Sequence, residues 1–410
     1  MITRVATSTL YTQGVSSMNN QQSSLLHVQQ QLGTGRRVLN PSDDPVAATR
    51  ILGIKQATSV NAQYTTTRRQ ADSTLGLAEN SLKTITTTIQ NIQTLLVNAG
   101  NGTMSDTDRA SLATALQGQY DQLLGLANAD DGNGNYLFAG LQSSTAPFTK
   151  NASGGVVYQG DTGHQLLQVD VARQMQATNN GAEIFQSVTA NAGYVLQGNA
   201  GNTGNATYSA ISASDPTNAA YGHSFTLNFA PDGTGRMQYS ITDNSLPTPA
   251  VVVGPVNYNE NEAISVGGVT FSVKGTPANG DTMTIKPAQQ AGADMFANLQ
   301  NVIDTLKQPL SSDSANANLQ NVLATGIRQF SNSLDNVLTV RSSVGSRMQE
   351  LDALDTIGTN RDLSNEAVRS NLEDLDYASA IAEYYQRSTA LQGAQQSFIQ
   401  IQGMNLFKFL

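Results

Sequence analysis

At 410 residues the chain has room for two or three domains, yet only 13% of its residues are charged, 6% are aromatic and none is Trp. A net charge of −9 argues against a nucleic-acid binder built on clustered Lys and Arg, and the lack of Cys excludes disulfides and thiolate metal sites. No segment approaches the ~18–20 apolar residues of a membrane helix, and the first twenty residues carry no secretory h-region, so any export is expected to proceed without a cleaved signal peptide.

Proline is absent from Val46 to Ala146 and from Leu310 to Leu410, whereas seven of the eleven prolines fall between Pro216 and Pro287. Proline costs a helix interior about 3 kcal/mol, so the distribution predicts two long helical arms around a non-helical insert.

The first arm opens on a helix whose seam is written Tyr11, Val15, Met18, Gln22, Leu25, Gln29, Leu32. Two glutamines weaken that seam, and short helices are marginal alone, so this segment is expected to order on assembly. Gly33 and Gly35 stop the helix. Asn40, Pro41, Ser42, Asp43, Asp44 and Pro45 then form a loop in which Asp44 before Pro45 is a helix-start signal. The next seam runs Ile54, Ala57, Asn61, Tyr64, Arg68, Ala71, Leu75, Ala78, Leu82, Ile85, Ile89, Ile92, Leu96, Ala99 without a slip. Ser105 caps a further helix through Leu112, Leu116, Leu123 and Leu126. After the turn cluster Asp130–Asn135, strands are expected at Tyr136–Phe138, Val156–Tyr158 and Leu166–Val171, as small hairpins between about 135 and 172.

From 191 to 289 the texture is Gly-, Asn-, Ser- and Pro-rich, with strand candidates at Phe225–Phe229, Met237–Ile241, Val251–Val253, Val269–Val273 and Met283–Ile285. Helix returns near Asp294. A long helix passes Phe330, Val337, Val344 and Leu351. A final helix after a turn at Gly358 carries Leu375, Ala378, Ile381, Tyr385, Leu391, Ala394, Phe398 and Ile401. The fold class is therefore mainly α with an inserted β domain. The expected organisation is 1–40 plus 365–410 as a terminal helical assembly domain, 41–190 plus 290–364 as a helical rod, and 191–289 as an outer all-β domain.

Chemistry is scarce. His27, His164 and His223 lie far apart in sequence, and none has a second ligand-type residue at i+3 or i+4 in a recognisable pattern. Read from Asp131, the Asp130–Asn135 segment offers half a calcium loop but has Tyr136 and Gln142 where Gly and Glu are required. No catalytic, cofactor or metal residue is assigned. The interface candidates are Tyr11, Val15, Met18, Leu25, Leu32 and the final-helix series from Leu375 to Ile401.

The stretch Leu32-Gly33-Thr34-Gly35-Arg36-Arg37-Val38, followed by Asn40-Pro41-Ser42-Asp43-Asp44-Pro45-Val46-Ala47, resembles the N-terminal signature of bacterial flagellins and hook-associated proteins. Ala99–Ala113, Asp131–Gly140, Asn336–Arg341 with Ser346–Leu354, and the ending Gln402–Phe407 favour the hook-associated branch over filament flagellin. The resemblance implies an elongated coiled-coil rod made from both chain ends and a structural role joining hook to filament in the extracellular flagellum. It implies unfolded type III export, an export chaperone on the C-terminal helix, and assembly of the chain's own copies in a helical layer between the first hook-associated protein and flagellin. A flagellin-type filament subunit and a secreted adhesin or enzyme acting through the β insert are the alternatives weighed against it.

Overall fold

In a computed structural model of the chain, residues 7–102, 104–152 and 154–403 are described. Helix α1 (Thr7–Thr34) ends at Gly35, whose φ of 68° suits a residue without Cβ and whose N–H donates to the Gln31 carbonyl at 2.8 Å. Helix α2 (Pro45–Ala99) starts as its sequence predicts: Asp44 Oδ1 accepts the Ala47 N–H at 2.9 Å, with proline first in the helix. Many threonines of α2 return their hydroxyls to the carbonyl four residues back, as Thr74 does to Gln70 and Thr86 to Leu82. Helix α3 (Asp106–Ala127) carries a complete capping box between Ser105 and Asp108.

Two hairpins follow, β1 (Phe148–Lys150) with β2 (Val156–Tyr158), and β3 (Leu166–Asp170) with β4 (Arg173–Gln176). Tyr136–Phe138 is a turn with an isolated bridge from Tyr136 to Asp130, not a strand. Its side chains are taken up by an aromatic cluster: Phe138 and Phe148 pack edge-on to Phe185 of the short helix α4 (Gly181–Phe185). Burial of Phe138 therefore comes without a ladder.

The insert comprises β5 (Tyr194–Gly198), β6 (Thr207–Tyr208), β7 (Ser212–Ala213), β8 (Phe225–Pro231), β9 (Met237–Asp243), β10 (Ala250–Asn257), β11 (Ala263–Val266), β12 (Val269–Lys274) and β13 (Thr282–Pro287). One sheet has the order β10-β9-β8-β13-β5, and a second pairs β12 with β11, β6 and β7. Alternation along β8 turns Phe225, Leu227 and Phe229 inward. They share one core with Ile241 and Ile285 of their own sheet and with Ile264, Phe271 and Val273 of the other.

Helix α5 (Met295–Leu306) is capped by Asp294, which accepts from Phe296 N and Ala297 N. Helix α6 (Asp313–Glu373) runs unbroken through Gly358. The turn expected there is absent because a single glycine costs a helix only about 1 kcal/mol. The break comes instead at Asp374–Asp376, before α7 (Tyr377–Gly403).

The chain forms two compact units, Met1–Thr66 with Ala353–Leu410, and Thr67–Asp352. In the larger unit Leu75, Leu82, Ile85, Ile89, Ile92 and Leu96 of α2 are fully buried, as are Val337 and Val344 of α6. Glu79 of α2 pairs with Arg341 of α6 at 3.1 Å. Gly326 permits close packing: a Cβ there would stand 3.0 Å from Val302 of α5.

The insert is also bound to α6 by buried hydrogen bonds. Asn321 Nδ2 donates to the Ala206 carbonyl at 2.9 Å, and Thr325 Oγ1 donates to the Leu196 carbonyl at 2.7 Å. The Tyr208 hydroxyl lies 2.9 Å from the Asn321 carbonyl and 2.6 Å from Thr325 Oγ1. Burial pushes the Tyr208 phenol up from 10.0 to about 12. A raised phenol pKa stabilises the fold fully below the unfolded value and loses that contribution as pH climbs through the folded value. The sheets of the insert are therefore expected to loosen between pH 10 and about 12, with Tyr208→Phe removing part of the transition. Tyrosinate absorbance followed alongside circular dichroism checks this; loosening below pH 10 would contradict it.

Candidate assembly interface

In the smaller unit α1 and α7 pack antiparallel along each other. Tyr11 meets Phe398 with ring centroids 5.1 Å apart, and at the other end Gln29 reaches the Tyr384 hydroxyl at 3.4 Å. The inward line of α1 is Gly14, Met18, Gln21, Leu25, Val28, Leu32, in steps of four and three. It shares Met18, Leu25 and Leu32 with the predicted seam but replaces Gln22 and Gln29 by Gln21 and Val28. Gln22 and Gln29 are exposed, and Val28 is buried. A Cβ on Gly14 would stand 3.1 Å from the Phe398 ring, so the glycine allows the close approach. Val15 lies beside this line, half-buried, and Tyr11 is 47% exposed.

The facing line of α7 is Ala380, Tyr384, Arg387, Leu391, Ala394, Phe398. The interface series read from sequence thus divides. Leu391, Ala394 and Phe398 turn toward α1. Ala378, Ile381 and Tyr385 form a second, outward stripe, with Ile381 45% and Tyr385 67% exposed. The step from Tyr385 to Leu391 is six residues, which rotates the position by about 120° around a helix of 3.6 residues per turn. The side chain of Ile401 lies outside the described residues.

Residues 35–45 join α1 to α2 and are fastened to the break between α6 and α7. Arg37 N donates to the Glu373 carbonyl at 2.7 Å, Leu375 N donates to the Gly35 carbonyl at 2.9 Å, and the Arg37 guanidinium donates to the Leu372 carbonyl at 2.9 Å. Within the loop Asp43 Oδ2 accepts from Asn40 N at 2.8 Å and Leu39 N at 3.0 Å. The Asn40 amide, followed by that of Leu39 and by His27, holds the Asp43 carboxyl below its usual range. The Ala47 amide, helped by Arg37, does the same for Asp44. Asn40, Pro41 and Ser42 are exposed, and Pro45 begins α2.

Sequence reasoning missed Glu373. Its buried carboxylate receives Arg36 at 3.2 Å, Lys55 at 3.5 Å and Arg369 at 3.1 Å. Nothing marks a lone Glu near a helix end as buried, because two of its partners come from distant sequence. Each histidine of the chain meets one carboxylate: His27 with Asp43 at 3.2 Å, His164 with Glu183 at 3.3 Å, His223 with Asp243 at 2.6 Å. The last pair gives a buried aspartate of the insert a hydrogen-bond partner.

The model of the bacterial flagellin N-terminal helical region matches residues 5–143. The chain is 34% identical over 405 residues to flagellar hook-associated protein 3 of Salmonella typhimurium, covering 99% of both chains. Among solved structures it is similar to the flagellar junction protein FlgL of Legionella pneumophila, with a TM-score of 0.68 and 27% identity over 79% of this chain and all of that one. It is also similar to FlgL of Xanthomonas campestris, with a TM-score of 0.67 and 25% identity over 77% of this chain and 99% of that one.

Proposed function

The chain belongs to the family of flagellar hook-associated protein 3, structural proteins of the hook–filament junction, and from that premise we propose that its paired chain ends build the joint. The observation that carries this reading is where apolar surface is left bare. The unit formed by Met1–Thr66 and Ala353–Leu410 holds under a third of the chain, yet more than half of the exposed large apolar side chains among the described residues fall in it. Val46, Leu52, Ile357, Leu363, Tyr377, Ile381 and Tyr385 are among them. Bare apolar surface of that density calls for cover. Copies of the chain provide it in a helical layer, with the first hook-associated protein on one side and flagellin on the other. An export chaperone covers α7 beforehand, and the chain travels unfolded by the flagellar type III route. No catalytic role is proposed.

The test is electron microscopy of cells lacking this chain. Hooks without filaments, with flagellin shed into the medium, are expected, and reintroducing the chain restores filaments. Filaments of normal number and length in its absence would overturn the reading.

A further inference from the structure

We infer that Glu373 is the positioning residue for both terminal helices: its single buried carboxylate gathers cations from the loop after α1, from α2 and from α6, and so fixes where α1 ends and α7 begins. Arg36 reaches it at 3.2 Å, Lys55 at 3.5 Å and Arg369 at 3.1 Å. The same residue's carbonyl accepts the Arg37 N–H at 2.7 Å, and Arg36 bridges Asp374 in a short antiparallel contact. Side chain and backbone of Glu373 thus hold the loop after α1 against the end of α6, and the Leu375 N–H on the Gly35 carbonyl ties the start of α7 to that same loop.

Neighbouring carboxylates do not duplicate this. Glu366 pairs only within α6, with Arg369, and is largely exposed. Asp374 accepts from Ser370, and Asp44 is engaged with Arg37 and the start of α2. Removing the Glu373 charge takes the shared acceptor from Arg36 and Lys55 and leaves Arg369 with Glu366 alone, so the contacts that tie the loop and α2 to the end of α6 are lost together. Along the α1–α7 pair only Val28 and Ala380 are buried apolar side chains among the described residues, the rest of the two facing lines being half-buried.

The inference deepens the proposed assembly role and rests on that reading only for its consequence. Its test is hydrogen exchange on the free, full chain, so its failure is distinct from failure of the bare-hook experiment. In Glu373→Gln, amides of residues 31–38 and 372–380 are expected to lose protection about 100-fold. Those of the buried α2 segment around Ile85–Ile92 stay within threefold. Glu373→Asp keeps the charge and loses tenfold or less, and Glu366→Gln is unchanged. If Glu373→Gln fails to fold, Arg36→Gln with Lys55→Gln leaves the Arg369 pair in place and is expected to give the same pattern at about tenfold. Unchanged exchange at the two segments, or an equal loss across Thr67–Asp352, would overturn the assignment.

Discussion

Leu82→Asp is expected to destabilise the unit formed by Thr67–Asp352 by about 3 kcal/mol or more. Leu82 is fully buried, as are Ile85 and Ile89 on the same face of α2. The substitution removes a packed side chain and buries a carboxylate in an apolar seam. The nearest ion pair along that face, Glu79 with Arg341, already has its own balance, and a second acid would compete for the same guanidinium. Gln90→Asp introduces the same charge on the exposed side of the helix and is expected to cost under about 1 kcal/mol. Thermal melts of both variants check the ranking. A reversed order would refute the placement of the α2 seam.

Ile381→Asp combined with Tyr385→Asp is expected to leave the free chain folded and to abolish its incorporation at the hook tip. Both side chains stand on the outward stripe of α7, 45% and 67% exposed. Charges there remain solvated in the monomer, so the fold loses little. Once a neighbouring subunit covers the stripe, each carboxylate must shed water without a partner, at about 2 kcal/mol or more apiece. Two such costs in every subunit contact exceed what a marginal helical interface can absorb. Leu391 and Phe398 differ in kind, because they face α1 within the chain, and acids there would separate the helix pair itself.

Much of this architecture was legible because it rests on local rules. The α2 seam is apolar and buried without a slip from Ala71 to Ala99, although Ala57 before it is exposed and Asn61 and Arg68 are polar, and Asp44-Pro45, Ser105 with Asp108, and Asp294 announce helix starts by their own hydrogen bonds. Five strands of the insert, β8, β9, β10, β12 and β13, were legible from their residue pattern, whereas β5, β6, β7 and β11 were not. Their order was not, because β13 pairs with both β5 and β8 across long stretches of chain and nothing local specifies that register. The α1 seam came out one position off at every second step. Its apolar residues are sparse enough that Tyr11, Met18, Leu25 and Leu32 fit two phases, and Val28 was the residue that distinguishes them. The α7 series merged two stripes because both are apolar, and only the six-residue step marks the change of face. Glycine at 358 looked like a turn, but an interior glycine in a long packed helix is tolerated. Glu373 was invisible because its meaning lies in Arg36 and Lys55, which are brought to it by the fold.

The chain ends are proposed to make the joint between hook and filament by their outward apolar surface. This role is tested most directly in cells that lack the chromosomal copy and carry either the wild-type chain or the Ile381→Asp, Tyr385→Asp variant. Hooks bearing filaments are counted by electron microscopy, and circular dichroism of the purified variant is recorded in parallel. A wild-type spectrum and bare hooks are expected for the variant. Normal filament numbers with both charges in place would contradict it.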